Sequence, residues 1–517
     1  MKNVLLTLLG VSILRSSWSF GTPRAFTGKL KAFDVRQRAD FEAQATSLPT
    51  DANVVLPSSL RNFQKGDEQK TEDDKTDTSI VSSAAVVAGN MIGAGVLALP
   101  SVAGAPGFWL SSGAMVGVWA YCLATGLLIA EVCSGDGRAS IQKMTESTLG
   151  PVWGNLMCTA FLGSNYLLMV AYICQGATVL SGVPMFAPEV YRPLINKCVS
   201  DLHLAPLVFT AFVGGASLWG PSKVIEGANN MLVGMIVISF IGLMGIGLPS
   251  VDFGALSTTW DVDTLPSMLP VAVCALVFQN VVPVVSNQLD GNIKNIRTAM
   301  TLGSGLPLIL YLLWNAVILG HVTPDVTQDN LDLAGTMDVG ATSVATSMSP
   351  IESLGAGFPE LGVLLGTFSF SALVTSFWGA SFSLMTECTH LVEKFVPYLP
   401  RCANNTSPQP GSGCALGKGL KREIDEGMVK AAAASLVLVP PALVSMACPD
   451  AFLKALEYSG IYADPLLYGL IPAVMAWKLR GSNPLHQAQM PGGQVGLGMV
   501  AASAIGFMCW QTILRTL

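Results

Sequence analysis

Residues 89–95 read GNMIGAG, and the chain on either side has the composition of a membrane helix. The flanks, IVSSAAVVA at 80–88 and VLALPSVA at 96–103, are almost wholly apolar. Three glycines and an asparagine therefore interrupt a spanning helix at mid-depth. In hydrocarbon every freed N–H and C=O needs a partner, so such a break is expected only where it is buried in protein or lines a cavity.

The rest of the chain has the same character. Soluble domains carry about 25% charged residues, whereas this chain carries 12%, with 51% hydrophobic residues and a mean hydropathy of +0.53. Its 52 glycines and 30 prolines lie mostly inside apolar runs, as membrane helices tolerate. The net charge of −6 is unevenly distributed and makes no case for nucleic-acid binding. The 11 cysteines are scattered singly, without a CxxC or Cys/His cluster. They are expected as small buried hydrophobes, so no disulfide scaffold, metal site or other cofactor is expected.

Two segments precede the membrane part. MKNVLLTLLGVSILRSSWSF has a basic start at Lys2, a short apolar core, and Ser17-Trp18-Ser19 before Phe20. That is the small-x-small pattern of a signal-peptidase site, giving a signal peptide over 1–19 with cleavage between Ser19 and Phe20. FGTPRAFTGKLKAF, 20–33, holds Arg24, Lys29 and Lys31 and no acid, the composition of a transit peptide. A signal peptide followed by a transit-like segment opening on Phe resembles the two-part plastid presequences of algae with secondary plastids. The alternative is a plain signal peptide ahead of a disordered arm, with a plasma or vacuolar membrane as destination. KGDEQKTEDDKTDT, 65–78, is charged and without apolar residues, so 20–78 reads as a transit-like, disordered arm and 79–517 as the transport domain.

A span needs about 20 apolar residues to cross a core of ~30 Å. The expected spans are 80–104, 108–132, 155–181, 204–219, 224–248, 268–289, 299–321, 359–390, 431–448, 451–477 and 494–514. Eleven is the count, with ten or twelve as alternatives. Lys and Arg accumulate on the side that is not translocated. With residue 79 inside, the inner segments hold Arg138, Lys143, Lys223, Lys294, Arg297, Lys394, Arg401, Lys418, Lys421, Arg422, Lys430, Lys478 and Arg480. The outer ones hold only Arg192, Lys197, Lys454 and Arg515. The outer loop 322–358 has five acids and no base, and the only sequons, at Asn404 and Asn405, fall in the basic inner loop.

The first break has a counterpart. Span six reads MLPVAVCALVFQNVVPVVSNQLDGN, 268–292, with Gln279 and Asn280 at mid-depth and Pro283 removing a donor. Spans one to five and six to ten then form two halves whose first members are both broken. An odd number of helices per half makes the second half inverted. Paired Gly/Pro-interrupted segments in corresponding positions point to a secondary transporter's central site. The N–H groups freed at 92–95 offer a positive dipole end to a carboxylate, and the carbonyls just before them accept from an ammonium. A zwitterionic amino acid presents both groups. Asn90, Met91, Ile92, Gly93, Ala94 and Gly95, with Phe278, Gln279 and Asn280, are the first candidate substrate contacts.

At these residues the sequence resembles the tyrosine/tryptophan permease family. The stretch AGNMIGAGVLALPSVAGAPGFW, 88–109, is similar to that family's opening motif. DGNIKNIRTAMTLGSGLPLILYLLWNAVILG, 290–320, and LEYSGIYADPLLYGLIPAVMAWKLR, 456–480, resemble its segment joining spans six and seven and its tenth span. The resemblance implies an all-α integral membrane protein with the leucine-transporter-like inverted repeat of the amino acid–polyamine–organocation superfamily. It implies proton-coupled symport of aromatic amino acids by alternating access. In that fold the third and eighth spans complete the pocket, which adds Asn165 and Tyr166, and Phe368, Phe370 and Ser371. The partners are then an amino acid, a coupling ion and the bilayer, with no nucleic acid and no obligate protein partner. A carrier of small neutral or other amino acids, or a sodium-coupled one, is the alternative.

Ionisable residues inside a membrane are functional suspects. Glu131 ends span two, and Lys223 and Glu226 open span five, where they can pair; Glu226 is the candidate for the coupling path. His203, His321, His390 and His486 sit in loops or at span ends. LGKGLKRE, 416–423, lacks the full phosphate-loop pattern, so ATP-driven transport has no support. A channel would need a continuous polar lining and an enzyme a nucleophile–base or acid cluster at depth, and the spans offer neither.

Overall fold

Long apolar runs punctuated by Gly, Pro and Asn fold into helices that stop at those residues. The computed structural model describes residues 79–93, 95–135, 141–182, 204–251, 253–257, 260–321, 359–395, 415–482 and 493–516. All of these belong to one of the two units into which the chain divides, 79–517. The presequence with Ser19 and Phe20, the acidic loop 322–358 and the sequons lie outside the described residues.

The helices are α1 (Ser79–Met91), α2 (Gly95–Ala103), α3 (Phe108–Gly135), α4 (Ile141–Leu149), α5 (Pro151–Gly182), α6 (Ala205–Trp219) and α7 (Ser222–Gly247). Then follow α8 (Leu265–Ala275), α9 (Val282–Gln288), α10 (Ile293–His321), α11 (Pro359–Phe395), α12 (Ala415–Ala447), α13 (Ala451–Tyr458), α14 (Ile471–Ser482) and α15 (Gly493–Thr516). Regular structure among the described residues is entirely helical.

Among the described residues eight helical segments, α8 with α9 counting as one, are long and apolar enough to cross a bilayer, and α1 with α2, bent by 56° at their junction, makes a ninth such span. The expected fourth span is α6, an apolar helix with a π-helical turn at Thr210–Gly214. The expected tenth is α13 and α14 joined through two π-helical turns, Ser459–Ala463 and Pro465–Leu470. One expectation is corrected: residues 415–430, assigned to an inner loop, are helical and run without a break into the span at 431–447.

Local chemistry explains the turns. Gly150, at φ 101°, carries the chain from α4 into α5 through the left-handed region, which glycine enters without a Cβ penalty. Between α9 and α10, Asp290 and Gly291 take φ of 51° and 73°, and the Gly291 N–H donates to the Ser286 carbonyl at 2.9 Å. Asn292 then caps α10, its Oδ1 accepting from Lys294 N at 3.1 Å.

α2 packs on α8, α3 packs on α8, α10 and α14, and α5 packs on α11, α12 and α13. The outer faces are apolar: Phe212 is 80% exposed and Ile238 70%. Hydrocarbon solvates such side chains, whereas water would not. Inside, polar side chains tie the spans together, as Ser83 Oγ to Gln288 Oε1 at 2.9 Å and Asn315 Nδ2 to Ser111 Oγ at 3.0 Å. Glu131, wholly buried, accepts from Arg480 Nε at 2.7 Å and from its Nη2 at 2.8 Å, joining α3 to α14. Arg480 also donates to the Gly493 carbonyl at the start of α15. One contact has no clearance at all: a Cβ on Gly460 would lie 1.9 Å from the Pro270 carbonyl oxygen.

Candidate functional site

The two breaks meet. α1 ends at Met91, Ile92 and Gly93 leave the helix, and α2 starts at Gly95. Facing it, α8 ends at Ala275, Phe278 takes φ −138° and ψ 1°, and a 3₁₀ turn over Gln279–Val281 leads into α9. Asn90 Nδ2 donates to Asn280 Oδ1 at 2.9 Å and Asn280 Nδ2 donates back to Asn90 Oδ1 at 3.1 Å. Asn90 Nδ2 also reaches the Val277 carbonyl at 3.4 Å. Close approach needs small residues: a Cβ on Gly95 would stand 3.0 Å from Ala275 Cα, and one on Gly93 2.6 Å from Ser376 Oγ.

Backbone groups at the breaks find partners on neighbouring helices, as an apolar surround demands. The Tyr311 hydroxyl donates to the Met91 carbonyl, and Trp314 Nε1 donates to the Val96 carbonyl at 3.1 Å. Gln279 serves span six in the same way. Its Oε1 accepts from Phe278 N at 2.8 Å, while its Nε2 donates to Thr125 Oγ1 at 3.0 Å and the Cys122 carbonyl at 3.3 Å.

Around the junction lies a cavity of about 920 Å³, within the range of small-molecule sites. Both breaks, α5, α7, α10, α11 and the span containing residue 464 contribute to its wall. Of the sequence candidates, Asn90, Met91, Ile92, Gly93, Gly95, Asn165, Asn280 and Phe368 line it. Gly95 and Val96, at the N-terminal end of α2, put that helix end on the cavity wall.

The other candidates are placed elsewhere. Phe278 is fully buried, close enough to Gly126 that a Cβ there would lie 3.1 Å from its ring, and Gln279 is buried in the bonds just described. Tyr166 turns away and donates to the Leu436 carbonyl on α12 at 2.7 Å. Adjacent residues on a helix lie about 100° apart, and here Asn165 faces the cavity while Tyr166 faces α12. Ser371 is buried and off the cavity, and Phe370 is 42% exposed. Ala94 lies outside the described residues. Glu226 sits exposed at the start of α7, away from the cavity, with no ion pair to Lys223 among the described residues.

The cavity also holds residues that the sequence reading passed over. Phe161, Tyr172, Phe240, Tyr311 and Tyr468 line it beside Phe368. Phe240, Trp314 and Phe368 form a cluster with ring centroids 5.7–6.3 Å apart. Asp464 lines it too, 5% exposed, between the two π-helical turns. Ser164 Oγ donates to Asp464 Oδ1 at 3.3 Å, and Ser459 Oγ lies 3.5 Å from each carboxyl oxygen. The signal was present: an acid at mid-span, just before a proline, in a chain with few charges.

The arrangement is an aromatic-walled cavity at the crossing of two interrupted helices, with a helix N-terminus, amides and, among the described residues, one carboxyl group on its wall. Among the described residues its wall carries no nucleophile–base pair. Comparison with known proteins gives the family. The chain is 28% identical to the tyrosine-specific transport system 2 of Haemophilus influenzae over 434 residues, 82% of this chain and 93% of that protein. It is 25% identical to the tryptophan-specific transport protein of the same organism, over 82% and 93% of the two chains. It is 24% identical to glutamine transporter 2 of Aliivibrio fischeri, over 62% of this chain and 78% of that one. The tryptophan/tyrosine permease family profile matches residues 76–394 and 416–511, taking in both breaks and every described wall of the cavity. With fold, cavity and profile in agreement, the chain belongs to the tryptophan/tyrosine permease family, as a multi-pass membrane transporter and not an enzyme.

Proposed function

We propose that this protein is a secondary active transporter of amino acids, aromatic ones foremost, that couples their movement to protons by alternating access. The observation that carries the reading is the aromatic-walled cavity at the junction of the two broken spans. A substrate carboxylate is favoured at the N-terminal end of α2, where the helix dipole is positive. Its ammonium is favoured by the carbonyls that precede the break. An aromatic side chain finds edge or offset contacts with Phe161, Tyr172, Phe240 and Phe368. The names of the tyrosine- and tryptophan-specific relatives support the same substrates.

A second reading has an observation of its own. Asn90, Asn165, Asn229 and Asn280 all line the cavity, and one relative is named a glutamine transporter. The test is uptake into proteoliposomes of labelled tyrosine, tryptophan, phenylalanine and glutamine under imposed proton or sodium gradients. Saturable aromatic uptake on an inward proton gradient is expected. Glutamine preferred over all three aromatics would replace the first reading with the second.

We also propose a plastid membrane as its place. Support comes from the presequence alone: a signal-like core, then the basic, acid-free 20–33 segment that opens on Phe20.

A further inference from the structure

Resting on the transport reading above, we propose that Asp464 is the group that binds and releases the coupling proton. Among the described residues no ion pair includes Asp464. Its side-chain bonds come from two hydroxyls, Ser164 on α5 and Ser459 on its own span, and from the Cys274 thiol of α8, and the two hydroxyls lie 2.9 Å from each other. A charged group buried in an apolar surround is costly unless paired, and it exchanges its charge with whatever can reach it. The groups that face it are Cys122 of α3, Tyr172 of α5, Cys274 of α8 and Tyr468 in its own span, none of them cationic.

A mobile cation must therefore supply the compensation, and the cavity gives one access. The carboxylate takes one proton from water of the compartment to which the cavity is open and becomes a neutral carboxylic acid. It returns that proton to water of the other compartment after the cavity has changed sides. One O–H bond forms and later breaks, and nothing else is exchanged. The π-helical turns on both sides of Asp464 break the regular ladder there, a feature that recurs at functional sites.

The test uses the full-length protein in proteoliposomes and Asp464→Asn, which keeps the shape and removes the titration. Accumulation of tyrosine on an imposed proton gradient is expected to fall more than tenfold, and tyrosine-evoked proton uptake to disappear. Counterflow without a gradient is expected to fall less than threefold. Undiminished gradient-driven accumulation by the variant would overturn the proposal. Equal loss of counterflow and accumulation in a folded variant would also overturn it, by giving Asp464 to the substrate's ammonium. Should the Asn variant not fold, Asp464→Glu decides: a displaced pH profile of uptake is expected, and an unchanged one overturns the proposal. Wild-type protein driven by sodium and indifferent to protons would overturn the coupling reading as well. That failure shows in the wild type and is thereby distinct from one that shows only in the variants.

Discussion

Asn90 and Asn280 exchange two hydrogen bonds, at 2.9 and 3.1 Å, and so clasp the broken first span to the broken sixth. A net hydrogen bond contributes about 0.5–1.5 kcal/mol. Asn280→Ala is expected to lower kcat/KM for the transported amino acid about 3–10-fold. Asn90→Ala is expected to lower it further, because Asn90 also holds the Val277 carbonyl. The double variant should lose less than the product of the two, since one clasp is removed in each case. Strictly multiplicative losses in initial-rate uptake would separate the two residues energetically.

The glycines divide by the space around them. A Cβ on Gly89 meets nothing within 4 Å, whereas on Gly460 it meets the Pro270 carbonyl at 1.9 Å. Gly89→Ala is expected to keep the thermal midpoint of the purified protein, and Gly460→Ala to lower stability by ~1–3 kcal/mol or more. Gly93→Leu and Gly95→Leu are expected to abolish transport in protein that still inserts. Gly93→Ala should recover activity when combined with Ser376→Ala, since the Ser376 hydroxyl is the obstacle.

Glu131 is wholly buried and its partner Arg480 nearly so. Removing one member of a buried ion pair leaves the other uncompensated and costs about 3–5 kcal/mol. Glu131→Gln is therefore expected to lower the unfolding midpoint in detergent sharply. Glu131→Gln with Arg480→Gln together should be less harmful than the sum of the two. Additive midpoints would show that the pair does not act as a unit.

Orientation follows from the basic residues. Epitope tags in 396–414 and near residue 79 are expected on the same side of the membrane, and a tag in 322–358 on the opposite side. Protease cleavage of both loops from one side would overturn this topology.

A fusion of residues 1–40 to a fluorescent protein is expected to reach the plastid of an alga with a secondary plastid. Phe20→Ala is expected to hold the fusion outside it. Fluorescence at the cell surface or vacuole with both fusions would leave an ordinary signal peptide.

The broken spans were legible in the chain because glycine, asparagine and glutamine stand out against apolar flanks; GNMIGAG and FQN both fall at the crossing. Which side chains face the cavity was less legible. Asn165 and Tyr166 differ by about 100° around one helix, and only packing against α12 decides the phase. Gln279 looked like a ligand contact, yet the break itself consumes its amide through Phe278 N. Glu226 drew attention as an acid near a span, but it stands exposed at a helix start. Asp464 stood out as an acid at mid-span, but its place on the cavity wall did not, because the π-helical turns on either side shift the helical phase and leave no periodic mark.

The contact between Gly460 and the Pro270 carbonyl has a mechanical meaning. With no room for even one added carbon, α8 and the π-helical turn Ser459–Ala463 lie backbone against backbone, so a shift of either toward the other has to be met by the same shift of its neighbour. Asp464 sits four residues beyond this contact. In the proposed transport cycle, sliding is then expected at contacts that have clearance and not at this one.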